Sequence, residues 1–353
     1  MQSATLDKLV QGISANKRHI ITSDIVRELL NSADYIMASS VSGDIEDSLR
    51  PHVPSRVEWR ILDHCSAISR LYALFENYVG DAISDYVNYI QRTHTLSDIS
   101  APVQDYYRIG ISKILKEISK PKLSYLNLQE MIVGYGKTLS GRKPIKLEPL
   151  AFKMHEQNLR LTEINRLFSG LGLDGINKWV ERHPKILDFF GPEKSPEGAE
   201  KLLQNLIGYR NEAAHQGLQV DDILGKDEIL KYCDFLLNLS VSIHEFFITC
   251  FITSETRLGF ARECGKVSES LKGGRVVVAP VVGSFFVGQT LYVKGSNYCH
   301  AATIEELRLD NKARSKLAIE TPTEVGFRLS EIAKKKSTLI SLNKQRNRAG
   351  GSA

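Results

Sequence analysis

Apolar positions set the first reading of the chain. Between residues 56 and 92 there is no proline and one glycine, and Leu62, Ile68, Leu71, Phe75, Val79 and Ile83 recur at spacings of three to six. That rhythm keeps them near one face of a helix, so a single long helix is predicted, beginning where Pro54 and Ser55 offer a start signal. Helical periodicity also predicts helices at 24–32, 103–119, 126–139, 147–168, 175–182, 196–216 and 226–263. Glycine and proline punctuate the joints, at 141–144, 170–175, 191–196 and Gly217. Residues 1–271 therefore read as a mainly α helical bundle around long antiparallel helices.

The pattern changes at Gly273-Gly274. Val276, Val277, Val278, Val281 and Val282 crowd into seven positions, and Phe285 to Gly295 follows with glycines bounding short apolar runs. Two more strand-like segments occupy 302–309 and 324–329. This predicts a small all-β module at 272–332. No strand is read ahead of Gly274-Arg275, so whether the module closes into a barrel stays open. Residues 333–353, with Lys334, Lys335, Lys336, Arg346 and Arg348, read as a basic, disordered tail.

Composition adds location and charge. With 353 residues, 42% hydrophobic and 25% charged, the chain has room for two domains and enough apolar material for a core. No apolar run is read as reaching the roughly 20 residues that span a bilayer. The first residues also lack the basic-then-apolar order of a signal peptide. A cytoplasmic protein with no membrane partner is expected. Its five cysteines are scattered without CxxC spacing, which argues against a zinc site and suits a reducing compartment. The net charge of +5 is unevenly placed: from Lys272 onward 14 basic against 6 acidic residues give +8, so the rest carries −3. Either the C-terminal quarter meets an anionic partner or it is a solvated basic tail.

Two phosphate-loop lookalikes fail. Gly170-Leu-Gly172-Leu-Asp-Gly175 fits a dinucleotide fingerprint by letters but follows a helical pattern instead of a strand. Its expected role is a helix–helix turn with Asp174 capping the next helix. Gly136-Lys137-Thr138 resembles the end of a P-loop, yet Met131 stands where the first glycine must be. No cofactor is expected.

Arg210-Asn211-Glu-Ala-Ala-His215-Gln-Gly217 is different. Asn211 and His215 stand at i and i+4 and share a helix face, while Arg210 is offset by about 140° from His215 on a straight helix. An imidazole can take a proton from a 2′-hydroxyl or give one to a leaving 5′-oxygen. A guanidinium can grip a phosphate and stabilise its transition-state charge. An amide at i−4 can orient the imidazole. The spacing alone also fits an ordinary solvated helix turn.

This arginine–polar–histidine segment, late in a helical bundle, resembles the signature of the HEPN superfamily. Arg70-Leu-Tyr72-Ala-Leu-Phe75-Glu76-Asn-Tyr-Val79 resembles the first long helix of its RiboL-PSP-like branch, where an aromatic–acidic pair precedes the helix's second half. Many relatives have glycine directly after the histidine, where this chain has Gln216 before Gly217. The resemblance implies a metal-independent endoribonuclease, of the toxin or antiviral-defence kind, with Arg210, Asn211 and His215 as catalytic residues. Glu76 either supports them by pairing with Arg210 or His215, or is a surface carboxylate. The implied partners are an RNA substrate, a second copy forming a homodimer, and an inhibitor or antitoxin protein. Lys334, Lys335, Lys336, Arg346 and Arg348 are the expected RNA-binding positions. The alternative is a catalytically silent HEPN protein that binds RNA or scaffolds a partner. The β module resembles the second-domain barrel of translation factors, through Gly283 to Gly295, Ile304 to Asp310 and Glu324 to Leu329. Those barrels contact RNA; the other reading is a barrel used for protein contact.

Overall fold

The computed structural model describes residues 4–30, 50–141, 145–155, 157–191, 195–215 and 222–343. The chain divides into two units, Met1–Glu181 with Lys185–Val241, and Arg182–Pro184 with Ser242–Ala353. Among the described residues the helices are α1 (Ala4–Leu30), α2 (Arg56–Thr93), α3 (Ala101–Glu117), α4 (Leu128–Leu139), α5 (Leu150–Lys153), α6 (Leu161–Ser169), α7 (Ile176–Arg182), α8 (Pro184–Phe190), α9 (Ser195–His215) and α10 (Lys226–Arg257). The helical bundle followed by a β-barrel is the predicted architecture.

Helix α2 is the spine of the first unit. Ser55 caps it, its hydroxyl accepting from the Glu58 amide while the Glu58 carboxylate accepts from the Ser55 amide. This reciprocal box satisfies two donors that a helix start leaves without partners. Ile68, Leu71, Phe75, Val79 and Ile83 form the buried stripe, joined by Tyr72 and Tyr78. Leu62 is a correction: it is half exposed, and Ile61 and His64 face the core in that turn. Tyr78 reaches across to donate a buried hydrogen bond to the Ser240 carbonyl of α10 at 2.9 Å.

Several helix bounds differ from the sequence reading. Helix α1 starts twenty residues before the predicted 24–32, burying Leu9, Ile13 and Ile20. The predicted 147–168 helix is broken: α5 and α6 are separate, and the described residues between them, 154–155 and 157–160, are not helical. The polar run His155-Glu-Gln-Asn158 offers no apolar position to continue a buried stripe. Helix α8 was not predicted. The 170–175 segment joins two helices, with Gly172 and Gly175 at positive φ, and Asp174 accepts from the Ser169 hydroxyl. Gly136 to Thr138 lies inside α4, and Thr138 is buried. The first segment follows a helix and the second lies inside one, so neither has the strand ahead of it that a phosphate-binding loop requires.

Helix α10 ends at Arg257, not at residue 263. Gly259 takes φ +76°, Phe260 donates to the Glu255 carbonyl and Gly259 to the Thr256 carbonyl. That pair of bonds is the Schellman stop that glycine at this position favours. By length and composition α10 could cross a membrane, contrary to the reading of no such run, but 67% of its apolar window is buried in the protein. Its hydrophobicity is that of a core helix.

Among the described residues the second unit contains eight strands: β1 (Ala261–Lys266), β2 (Glu269–Leu271), β3 (Val276–Phe286), β4 (Thr290–Lys294), β5 (Cys299–Leu309), β6 (Lys312–Arg314), β7 (Lys316–Leu329) and β8 (Thr338–Leu342). They pair in the order β1-β8-β4-β5-β7-β3, and β3 returns to β1, closing a six-stranded barrel. Strands β2 and β6 flank it on β3 and β5. Val277, Ala279, Val281, Phe285, Phe327 and Leu339 fill the interior by two-residue alternation. The barrel is larger than the predicted 272–332. The missing first strand is β1, misread as the end of a helix, and β8 comes from the supposed tail. Lys334, Lys335 and Lys336 are exposed on the loop into β8, with Lys334 over the Tyr298 ring. Arg346 and Arg348 lie outside the described residues.

One buried ion cluster marks this unit. Glu245 faces His183 at 3.2 Å and His300 at 4.0 Å, and accepts from the Cys299 amide at 2.9 Å. Burial alone would raise the Glu245 carboxyl, but the two imidazoles and the amide outweigh it and hold it below its ordinary value.

Candidate active site

Leu203, Leu206 and Ile207 are buried on α9. Arg210 and Asn211 continue that row by three and four residues, so the stripe that seats the helix also carries these polar groups inward. Both are half-buried, whereas Ala214 and His215 are exposed at the end of the described helix.

Arg210 lies over the face of Tyr72, its Cζ 5.2 Å from the ring centroid. Its Nη1 donates to the Asn211 side-chain oxygen, Oδ1, at 3.1 Å. Tyr72 is itself buried, and its hydroxyl accepts from the Leu159 amide at 2.9 Å and makes a long contact with Asn158 Oδ1 at 3.4 Å. Burial pushes the phenol up, helped by Glu76 and opposed by the Leu159 amide and Arg210, so it stays protonated at neutral pH. The guanidinium thus rests on a rigid ring, where a cation gains from the aromatic quadrupole.

The predicted residues separate into two groups. Arg210 and Asn211 meet each other. His215 makes no described contact with Asn211, whose side-chain oxygen is turned to Arg210. Glu76 is partly exposed and faces neither; its Oε1 lies 3.6 Å from His155 Nε2. His155 Nδ1 is 2.7 Å from the Gln157 carbonyl, which can only accept, so Nδ1 carries a proton. Glu76, Asp81, Lys153 and His155 line a cleft of about 220 Å³, with Leu159 and Leu167 on its apolar side.

His64, like His155, escaped the sequence reading. It is fully buried, its Nδ1 accepts from the Leu224 amide at 3.1 Å, and Tyr209 packs edge-on at 5.7 Å. Burial pushes its imidazole down, partly opposed by Asp222, so it is neutral at neutral pH. Tyr209 also donates to Asp222 at 3.2 Å, which ties the motif turn to the approach to α10. A histidine at a buried helical position was the available signal for His64. His155 had only its place in a polar run.

A larger concavity of about 750 Å³ lies on the outer face of the barrel. Lys272, Arg275, Arg308 and Arg328 line it, but so do Glu269, Glu306, Asp310 and Glu324. The charges cancel, so size does not make it the anion site.

An arginine, an amide and a histidine late in a helical bundle, with the arginine seated on the spine helix, define a HEPN-type domain. The RiboL-PSP-HEPN family model matches residues 21–249, well over half the chain, and this protein belongs to that family. HEPN domains are commonly ribonucleases or RNA binders. No curated protein matches the chain. Among solved structures, it has a likeness to the C-terminal domain of a candidate U32 peptidase from Geobacillus thermoleovorans. That match has 11% identity and TM-score 0.21, over 23% of this chain and 92% of the other.

Proposed function

We propose that this protein is a metal-independent endoribonuclease that cuts cellular RNA, such as tRNA or another structured RNA, by attack of the substrate's own 2′-hydroxyl. The observation that carries the reading is Arg210 held on the Tyr72 ring in a domain of this family. A guanidinium has five N–H donors, and one is engaged with Asn211, so others can grip the scissile phosphate and its developing charge. His215, exposed on the same helix, exchanges protons with the 2′-hydroxyl. The nucleophile already sits beside the phosphorus, so positioning replaces metal-activated water. A role as toxin or defence effector, a homodimer and an inhibitory protein partner belong to the same reading, as does RNA contact through Lys334, Lys335 and Lys336.

The test is cleavage of total RNA in excess EDTA with end-group analysis. The expected products carry a 2′,3′-cyclic phosphate and a 5′-hydroxyl, and a single 2′-deoxy residue at the cut site blocks the reaction. Arg210→Ala and His215→Ala should each lower the rate at least about 10²-fold with little change in melting temperature, since neither is a core residue. Dependence on added metal, cleavage at the deoxy site, or full activity in both variants would refute the assignment.

One feature favours a second reading, a silent HEPN protein that binds RNA or scaffolds a partner. Asn211 turns its side-chain oxygen to Arg210 and leaves His215 without an orienting contact among the described residues. RNA binding without cleavage by the unaltered protein would select it.

A further inference from the structure

Five lysines collect at one end of the barrel, and the sheet register puts them there. Lys266 of β1 and Lys294 of β4 both lie opposite Thr338 of β8. Residues paired across strands share a face, so the two cations flank one threonine from either side. The loop that leads into Thr338 carries Lys334, Lys335 and Lys336, and its backbone is bonded to the end of β1. The Lys336 amide donates to the Val267 carbonyl at 2.9 Å, and the Val267 amide to the Ser337 carbonyl at 2.9 Å. Tyr298 closes the group, one residue before the Cys299 that pairs with Lys294. Its ring lies 5.8 Å from the Lys334 ammonium, and its hydroxyl is 2.5 Å from Ser337 Oγ.

The charges at this rim are not cancelled as they are in the 750 Å³ concavity. There Arg308 is paired with Glu306 at 2.6 Å, and Arg328 with Glu305 at 3.4 Å. Here Lys266, Lys334, Lys335 and Lys336 are exposed. Lys294 is half-buried and its ammonium contacts the Thr253 hydroxyl at 3.4 Å. Among the described residues no ion pair is formed by any of the five. The loop is also fixed before anything binds, which lowers the ordering cost of a contact. Ser337 Oγ donates to the Lys334 carbonyl at 2.5 Å, and Ser270 Oγ to the Ala333 carbonyl at 2.8 Å. Lys336 is held at φ +73°, a left-handed backbone that glycine or asparagine adopts more readily. A lysine kept at a strained position points to a use for its side chain.

We propose that this rim is a binding surface for the phosphate backbone of RNA, in which Lys266 and Lys294 extend the Lys334–Lys336 loop into one track across β1, β8 and β4. The proposal takes RNA as ligand from the proposed function and does not depend on cleavage. An ammonium meets a phosphate oxygen as a point charge, and each contact releases a counterion. Such contacts position the ligand and read no sequence. The row offers like charges around a threonine, not an apolar centre. That suits a chain with one negative charge per unit better than a protein face, whose buried core is apolar.

The experiment measures the affinity of the full-length protein for a single-stranded RNA in which every 2′-hydroxyl is methylated, across a salt series. Methylation removes the nucleophile, so binding is read without cleavage. Replacing both Lys266 and Lys294 by glutamine, with the 334–336 loop intact, should weaken binding and lower the slope of log affinity against log salt by about 1.4, roughly 0.7 per contact. Arginine at both positions keeps the charge and should restore the slope, which a merely structural loss would not allow. Lys336→Asn should lower the slope by about 0.7 with no fall in melting temperature, because asparagine tolerates the left-handed backbone. Lys272→Gln with Arg275→Gln removes the same charge from the concavity and should leave the slope unchanged. An unchanged slope in the Lys266 and Lys294 glutamine variant would overturn the proposal and leave the rim to an acidic protein. An equal drop in the concavity variant would overturn it too, since net charge and not a site would then be the cause. Cleavage of ordinary RNA is scored separately: lysine-dependent binding without cleavage would uphold this surface and remove the ribonuclease reading alone.

Discussion

At the scale of single residues, two buried groups make stability depend on pH in separate windows. His64 has its imidazole pushed below the ordinary 6.5 by burial. Between 6.5 and that lowered value the unfolded chain binds a proton that the folded chain refuses. The helical unit therefore loses stability as pH falls below 6.5. His64→Gln keeps an acceptor for the Leu224 amide and should flatten that slope in denaturant titrations; an unchanged slope would show that His64 is not its source. Glu245 acts lower: its stabilising effect is present above the ordinary 4.5 and is lost as pH falls through its depressed value. Urea midpoints for Glu245→Gln should converge on those of the unaltered protein only in that acid range.

At the scale of elements, close approaches decide which joints tolerate change. The barrel closes where Gly265 of β1 pairs with Val281 of β3. A Cβ on Gly265 would lie 2.1 Å from the Pro280 carbonyl oxygen, a backbone atom that cannot swing aside. Gly265→Ala should therefore cost about 1–3 kcal/mol, as overpacking does, read as a lower melting temperature of the barrel. Gly208→Ala makes a control, because a Cβ there meets nothing within 4 Å. Equal melting of both variants would mean that β1 and β3 are not held in this register. The broken helix between α5 and α6 matters in another way: an unbroken helix would carry His155 along a rod, whereas the loop lets it turn to Glu76.

At the scale of the whole molecule, charge and assembly carry the expectations. The +8 excess beyond Lys272 does not gather in the concavity of about 750 Å³ on the barrel, where four cations meet four carboxylates. Lys334, Lys335 and Lys336 are exposed together on the loop into β8 and remain the candidate RNA contacts. Replacing all three by alanine should reduce the slope of log affinity against log salt by up to about three, roughly one per phosphate contact. An unchanged slope would assign the barrel to protein contact. As for assembly, a homodimer should lose specific activity on dilution, and a strictly monomeric protein of full activity would contradict it.

Much of this molecule was legible in order along the chain. Apolar periodicity determined most of the buried face of α2 and the change from helix to strand, and Pro54-Ser55 its start, because repeats of three to four and of two are local consequences of which face is buried. The Arg210–His215 segment was legible for the same reason, as side chains on one helix. Strand β1 was not, because Ala261 to Lys266 is a polar stretch that becomes a strand only by pairing with β8 and β3. Nor were the partners of the site. Arg210 on Tyr72 and Glu76 on His155 join residues 138 and 79 positions apart, and whether they touch depends on how helices and loops pack rather than on any local preference. Tertiary structure alone turned Asn211 toward Arg210, buried His64, and set His155 beside Glu76.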